Sequence, residues 1–204
     1  MRSDWGKPKA FTLEDIKFRG KNFEMLTLAQ AYELPYHKIG KACVRFTDQK
    51  NQNNGEERWF TPNTKSTELC AVRALHRIFK RFIRLKGWSD LTVPLAIYLP
   101  AKGAAPKAIQ SRNIEAVMQT AAKELYNLNE KLATHQHEMK RFSSHSLRVG
   151  ACVILHANGF SGPQIKFLLR WKSDAFMEYL RNVGLLQEKQ ADAIAYSDTL
   201  PQFF

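Results

Sequence analysis

Apolar and polar residues alternate along the first third of the chain, as they do in half-buried β-strands. The alternation runs through residues 10–19, and Lys-Ala-Cys-Val-Arg-Phe at 41–46 is typical of a second strand. A polar stretch at 48–57, typical of a turn, then precedes a third short strand at 58–61. We therefore predict a small antiparallel sheet in this part of the chain.

The spacing of apolar residues changes to that of helices after residue 66, where they recur three and four positions apart. Pro163 lies near the start of one such segment, and proline is favoured in the first turn of a helix. Residues 127–141 are polar, and we predict a loop there. The predicted helices lie at 66–87, from about 111 to 125, at 145–159, after Ser161-Gly162-Pro163, after Ser173 and at 185–196.

These elements predict an α+β fold that is mainly helical, with a small antiparallel sheet packed beside a helical bundle. The chain has 204 residues, enough for one well-buried core. No internal repeat, low-complexity tract or linker divides it. We therefore interpret residues 1–204 as a single domain.

The charge balance is the unusual feature of the composition. Lysine and arginine number 31 against 19 acidic residues, a formal charge of +12, whereas the hydrophobic fraction of 44% is ordinary. Such a surplus favours a polyanionic partner, nucleic acid before an acidic protein or a membrane surface. Lys80, Arg81, Arg84 and Lys86 crowd the end of one predicted helix, where they either contact a nucleic-acid backbone or face solvent.

Cysteine usage and hydropathy favour a protein inside the cell, and a nuclear one if the source is eukaryotic. Cys43, Cys70 and Cys152 are widely spaced and form neither a CxxC pair nor a zinc-binding set, so we expect buried thiols in a reducing compartment. No apolar run is long enough to span a membrane, and no signal peptide opens the chain. We expect no metal ion and no membrane partner.

The candidate chemistry begins with a histidine and an arginine three residues apart. His145 and Arg148 share one face of a predicted helix. Ser143 and Ser144 precede them and are good N-cap residues. The pair is therefore expected at a helix N-terminus, where a phosphate group is favoured electrostatically.

Two polar aromatic residues, Trp171 and Tyr179, follow further along the chain. Together with the imidazole and the guanidinium, an indole N–H and a phenol complete the set needed to break a phosphodiester with a tyrosine nucleophile and no metal ion. A phenol keeps its proton at neutral pH, so Tyr179 needs a proton acceptor or a strongly cationic pocket. Packing in the core is the alternative role of both aromatic residues.

This ordered set resembles the catalytic domain of tyrosine recombinases, the phage integrase family. The likeness is to the eukaryotic branch carried by mobile elements, including retrotransposons of the DIRS type, and it spans most of the chain. The residues that carry it are His-Ser-Leu-Arg-Val-Gly at 145–150, Arg-Trp-Lys-Ser-Asp-Ala-Phe at 170–176, Tyr-Leu-Arg-Asn at 179–182, Leu-Cys-Ala-Val-Arg-Ala-Leu at 69–75 and Asp-Gln-Lys-Asn at 48–51.

The resemblance implies a role for each of the four residues. Tyr179 would attack a DNA phosphate, forming a 3′-phosphotyrosine and freeing a 5′-hydroxyl without ATP or any other cofactor. Arg148 would clamp the non-bridging oxygens with bidentate donors. His145 would act as general acid or base, or donate a hydrogen bond to phosphate, and Trp171 would donate one through its indole N–H.

Two further residues complete the implied set. Lys50, in the polar turn, would protonate the departing 5′ oxygen, although turns often carry lysine for solubility alone. Arg2 would be the first catalytic arginine, but the helices that seat this arginine in the family do not precede it here. We therefore expect an N-terminally truncated catalytic domain without the N-terminal DNA clamp.

The implied function is cleavage and rejoining of double-stranded DNA, by copies of the chain assembled on paired sites. The main alternative is a DNA-binding remnant of a mobile element that has kept charge and fold but lost turnover. A type IB topoisomerase is a more distant alternative, since those enzymes use similar residue types within different local motifs. Binding that weakens as salt rises is expected for all of them.

Overall fold

The structure of the protein, a computed structural model, describes residues 10–47, 54–88, 93–171 and 173–180. The chain divides into two compact units, Met1–Ile109 and Gln110–Phe204. The described residues are mixed α/β and about half helical, with a small antiparallel sheet as predicted. The prediction of a single domain stays a prediction.

A four-stranded antiparallel sheet forms the framework of the first unit, in the strand order β2-β1-β3-β4. Phe18 in β1 lies opposite Ala42 in β3 and Leu26 in β2. Phe18 and Ala42 are fully buried, which confirms that one face of the sheet packs into the core. The strands are β1 (Ile16–Gly20), β2 (Met25–Leu26), β3 (Ile39–Phe46) and β4 (Glu56–Phe60).

The strand predicted at 10–19 is wrong over its first half. Leu13–Asp15 is a 3-10 turn, and β1 begins only at Ile16. The Asp15 carboxylate accepts hydrogen bonds from the backbone N–H of Thr12 at 3.0 Å and from its hydroxyl at 3.1 Å. These local bonds give the backbone an alternative to the sheet ladder. Asp15 is buried and forms an ion pair with Arg45 at 3.4 Å.

Two glycines allow β1 and β3 to approach closely at one end of the sheet. The register between these strands shifts between Arg19 and Gly20. A Cβ atom at Gly40 would lie 2.2 Å from the carbonyl oxygen of Gly20, well inside van der Waals contact. No larger residue fits at position 40 without moving the backbone of β1.

The helices of the first unit are α1 (Leu28–Glu33) and α2 (Ala71–Lys86), with a 3-10 turn at Tyr36–Lys38 between them. The predicted helix at 66–87 begins five residues late because Cys70 is its N-cap. The Cys70 sulfur accepts hydrogen bonds from the N–H groups of Arg73 at 3.4 Å and Asn63 at 3.3 Å. A short hairpin of β5 (Ile97–Tyr98) and β6 (Lys107–Ala108) completes the unit.

The core of the first unit lies between the sheet and α2. Phe79 and Phe82 of α2 are fully buried, and the Phe79 ring lies 5.3 Å from the ring of Phe18. His76 of α2 is also buried, and its Nε2 lies 2.8 Å from the carbonyl oxygen of Ala31 in α1. This contact is a hydrogen bond when Nε2 carries the proton. Burial lowers the pKa of His76, and the positive charge of Lys80 acts in the same direction.

The second unit is helical in its described part. Buried Cys152, Ile165, Phe176 and Leu180 form its core. The helices are α3 (Ser111–Leu125), α4 (Ala133–Lys140), α5 (Ser144–Ala157), α6 (Gly162–Leu169) and α7 (Met177–Leu180), the last preceded by a 3-10 turn at Asp174–Phe176.

The loop predicted at 127–141 is wrong, because most of it is α4. The helix has no apolar periodicity to reveal it, and among its residues only Met139 is buried. Polar contacts hold its start instead: the N–H of Asn129 donates to Nδ1 of His135 at 2.8 Å. The segment after Ser173 begins as a 3-10 turn rather than an α-helix. The helix predicted at 185–196 lies outside the described residues.

The three cysteines are buried free thiols, as expected. Burial, with Glu57 nearby, raises the pKa of Cys43 to about 11, and burial also raises the pKa of Cys152. For Cys70 the effect of burial is outweighed by hydrogen bonds from backbone N–H groups, and the pKa is lowered. No helix in the described part of the chain is long and apolar enough to cross a membrane.

Candidate active site

The start of α5 positions His145 and Arg148. Ser143 is the N-cap residue, and its backbone N–H donates to the hydroxyl of Ser146 at 3.0 Å. The Ser146 hydroxyl in turn donates to the carbonyl oxygen of Arg141. These bonds fix the first turn, from which His145 and Arg148 both extend as exposed side chains.

A carboxylate of the protein itself lies at the N-terminus of α5. Glu115 of α3 accepts hydrogen bonds from the backbone N–H of Ser144 at 3.3 Å and from its hydroxyl at 3.0 Å. The helix dipole favours an anion there. Glu115 therefore meets the preference of this N-terminus for an anion, and the expectation that a phosphate binds there stays a prediction.

His145 and Tyr179 are hydrogen-bonded side chain to side chain. The phenol oxygen lies 3.1 Å from Nε2 of His145, and the two rings meet edge to face at 5.5 Å. Tyr179 lies on α7, where it is flanked by the buried side chains of Phe176 and Leu180. A neutral histidine whose Nε2 carries no proton accepts the phenol hydrogen in this geometry.

Trp171 is the aromatic centre of the cluster. Its ring stacks on the buried ring of Phe176 at 5.4 Å, with 28° between the planes, and lies 5.8 Å from the ring of Tyr179. The guanidinium carbon of Arg148 lies 5.4 Å from the centre of the indole, within range of a cation–π interaction. Trp171 thus packs as a platform between Phe176 and two of the polar side chains.

Arg148 has a further contact with the end of α6. One of its terminal nitrogens donates to the carbonyl oxygen of Leu169 at 3.4 Å. The side chain is otherwise exposed, and a guanidinium has five N–H donors. Most of its hydrogen-bonding capacity can therefore be offered to an anionic ligand.

The backbone turn after α6 brings Trp171 into the cluster. Arg170 adopts the left-handed conformation with φ of +59°, which ends the helix and reverses the chain. The N–H of Trp171 then donates to the carbonyl oxygen of Lys166 at 2.9 Å. Lys166 also pairs with Asp174 at 2.8 Å, which holds the 3-10 turn against α6.

Four of the six predicted catalytic residues therefore meet in one cluster: His145, Arg148, Trp171 and Tyr179. Lys50 and Arg2 lie outside the described residues. On either side of the segment that contains Lys50, β3 and β4 pair as antiparallel neighbours, and the N–H of Gly55 donates to the carbonyl oxygen of Phe46 at 2.7 Å.

The four basic residues nominated for nucleic-acid binding lie on α2, in the first unit. Arg81 and Arg84 are exposed, whereas Lys80 and Lys86 are half-buried. In the described part of the chain, no group of three or more His, Cys, Asp or Glu side chains could hold a metal ion.

Sequence reasoning missed Glu115 and Phe176 as supporting residues of the site. Phe176 lies within the motif at 170–176, five residues after Trp171, so the stacking of these two rings could have been predicted. Glu115 is separated from Ser144 by 29 residues and gave no local signal.

Comparison with known proteins adds no family to these observations. No protein-family model matches the sequence, and no curated protein is significantly similar to it.

Proposed function

We propose that this protein cleaves and rejoins DNA strands as a tyrosine recombinase, with Tyr179 as the nucleophile. The proposal is carried by the 3.1 Å separation between the phenol oxygen of Tyr179 and Nε2 of His145. A nucleophile beside a base within hydrogen-bond reach is the arrangement that covalent catalysis requires. The clustering of Arg148 and Trp171 around the same pair supports it further.

In the proposed reaction the phenol oxygen of Tyr179 attacks the scissile phosphorus. Nε2 of His145 accepts the phenol proton as the P–O bond to tyrosine forms. The bond from phosphorus to O5′ breaks, and the departing oxygen takes up a proton and leaves as a 5′-hydroxyl. The resemblance assigns that proton to Lys50. Attack by another 5′-hydroxyl on the phosphotyrosine reverses these steps and rejoins the strand.

Arg148 stabilises the negative charge on the non-bridging oxygens in this proposal. Its guanidinium is exposed and permanently charged, so it can form bidentate hydrogen bonds with a phosphate. Contact with the Trp171 ring and with the carbonyl oxygen of Leu169 restricts its orientation before DNA binds. Less side-chain freedom is then lost on binding.

Double-stranded DNA is the proposed substrate, and copies of the chain act together on paired sites. The formal charge of +12 suits a phosphate backbone, and the cluster is open to solvent, because His145 and Arg148 are exposed. The mobile-element branch named by the resemblance is the proposed origin of the chain.

A covalent trapping experiment tests the proposal. The purified chain is incubated with labelled duplexes that include the ends of the mobile element encoding it. In these duplexes sulfur replaces O5′ at the cleavage position. A thiolate leaves without protonation, so the result does not depend on Lys50. We expect a protein–DNA adduct on denaturing gels that Tyr179→Phe abolishes.

The matched control is Tyr126→Phe, at an exposed tyrosine after α3, which should form the adduct like the unaltered chain. A shift on native gels without any adduct on denaturing gels would contradict the proposal. That result would favour a DNA-binding remnant without turnover.

A further inference from the structure

Helix α2 is strongly basic along one flank. It contains six lysine and arginine residues among 16 and no acidic residue. At 100° per residue, five of the six fall within about 100° of arc, whereas Lys86 lies on the opposite side, near buried Phe82. We call these five residues the α2 basic stripe: Arg73, Arg77, Lys80, Arg81 and Arg84.

Little of the charge on the α2 basic stripe is neutralised by neighbouring side chains. Arg77, Arg81 and Arg84 are exposed. Among the residues that the structure describes, the one carboxylate paired with the stripe is that of Glu68, 3.4 Å from Arg73.

Three members of the stripe are held in place by their surroundings. The guanidinium of Arg73 lies 5.3 Å from the centre of the Tyr36 ring, and the ammonium of Lys80 lies 5.4 Å from that of Tyr32. Nε of Arg84 donates to the carbonyl oxygen of Lys80 at 3.4 Å. These contacts restrict the rotamers of long side chains, which lowers the entropy that a ligand must remove on binding.

The stripe works against the stability of the helix that carries it. Arg73 and Arg77, Arg77 and Arg81, and Lys80 and Arg84 are four residues apart, so like charges lie side by side. A glutamate in place of exposed Arg77, Arg81 or Arg84 would form attractive pairs without touching the buried face of α2. A polyanionic ligand relieves the same repulsion by binding across the stripe.

We propose that the α2 basic stripe binds the phosphate backbone of duplex DNA, as a contact surface on the first unit in addition to the catalytic cluster. The choice of duplex DNA as the ligand rests on the proposed function, whereas the inference that the stripe binds a polyanion rests on the charges of α2 alone. From Arg73 to Arg84 the stripe is about 16 Å long, roughly half a helical turn of duplex. Phosphate contacts of this kind fix position without reading sequence.

The salt dependence of DNA binding tests the proposal. Fluorescence anisotropy with two unrelated 20-bp duplexes, from about 50 to 200 mM salt, gives the slope of log K against log salt concentration. The stripe variant is Arg77→Gln, Arg81→Gln and Arg84→Gln together. We expect its slope to be shallower by about 2 to 3 for both duplexes, because each lost phosphate contact removes about 0.9.

Two controls separate the stripe from general charge. Lys65→Gln, Lys102→Gln and Lys107→Gln together remove the same charge from exposed positions of the same unit, and this control variant should change the slope by less than about 1. Lys86, nominated from the sequence, lies on the side of α2 opposite the stripe and is not part of the proposed contact surface, so Lys86→Gln should leave the slope unchanged. At low salt the stripe variant should also melt about 2 to 4 °C higher than the unaltered chain, since the like-charge repulsion is relieved.

Equal slope changes in the stripe variant and the three-lysine control would overturn the proposal, as would an unchanged slope in the stripe variant. Binding of the stripe variant to polyglutamate is measured in the same way. If the variant lost polyglutamate binding but fully retained DNA binding, the proposal would also be overturned, because the partner would then be an acidic protein. The outcome is independent of cleavage. A shallower slope for the stripe variant, without any Tyr179 adduct, supports the proposed DNA contact and contradicts the proposed reaction. A Tyr179 adduct with an unchanged slope supports the reaction and contradicts the DNA contact.

Discussion

The phenol oxygen of Tyr179 and Nε2 of His145 lie 3.1 Å apart, although 34 residues separate them in the chain. If His145 accepts the phenol proton, His145→Ala should slow adduct formation on the sulfur-substituted duplex by about 10²- to 10⁴-fold. The rate is measured by sampling the reaction onto denaturing gels. His156→Ala, on the same helix, is the control and should leave the rate unchanged. Equal rates for the two variants would remove His145 from the reaction.

Phe176 should matter for the rate although it carries no reactive group. Phe176→Leu keeps apolar volume under Trp171 but removes the stacked ring. An aromatic pair is worth about 0.5 to 1.5 kcal/mol, so adduct formation should slow by up to about tenfold as Trp171 and Arg148 lose their fixed positions.

Denaturant unfolding of the Phe176→Leu variant should show a loss well below the roughly 3 to 5 kcal/mol of a buried Phe→Ala change, because leucine keeps most of the apolar volume. Trp171→Phe keeps a ring on the platform and should be milder than Trp171→Ala in the same rate assay. An unchanged rate in Phe176→Leu would limit Phe176 to a packing role.

Glu115 should stabilise the second unit through the start of α5. Glu115→Ala removes the acceptor for both the N–H and the hydroxyl of Ser144 and should cost about 1 kcal/mol in the free energy of unfolding. Glu115→Gln keeps an oxygen acceptor and should cost less. Urea titrations of the three chains give the comparison, and two equally stable variants would show that the net charge matters more than the hydrogen bonds.

The pH dependence of stability should reveal buried His76. Because burial lowers its pKa in the folded state, its neutral form is the one that folding favours. Its contribution is therefore complete above the ordinary histidine pKa near 6.5 and is lost as pH falls through that value and on through the lowered folded pKa. The free energy of unfolding should decrease over this window.

His76→Gln keeps an N–H donor for Ala31 but does not titrate. Urea unfolding at several pH values between about 8 and 5 should show a flatter dependence for this variant than for the unaltered chain. The other histidines are common to both proteins and cancel in the comparison. Parallel curves for the two chains would mean that His76 is equally easy to protonate before and after unfolding.

The sequence predicted the elements whose side chains repeat with a clear period. The strand predicted at 41–46 lies within β3, and the helix predicted from about 111 to 125 matches α3, in which apolar residues recur three and four positions apart. Helix α4 was missed because polar contacts at its start replace such a face. Helix α1 is six residues long, too short for periodicity to distinguish it from a loop.

The candidate site likewise contains one pair of neighbours that the sequence predicted and other contacts that it could not predict. His145 and Arg148 are neighbours on one helix, so their proximity follows from their spacing alone. The contact of Tyr179 with His145 depends on how α7 packs against α5, and residue types suggested it only through the resemblance. The Glu115–Ser144 contact depends on the packing of α3 against α5, which no local pattern encodes.

Tyr179 lies between two anchors, the buried side chains of Phe176 and Leu180. The phenol itself is only half-buried, so these two neighbours hold it beside His145. A local opening that released them would withdraw the nucleophile while α5 and α6 stay folded. The availability of the nucleophile would then be set by a local equilibrium weaker than global unfolding.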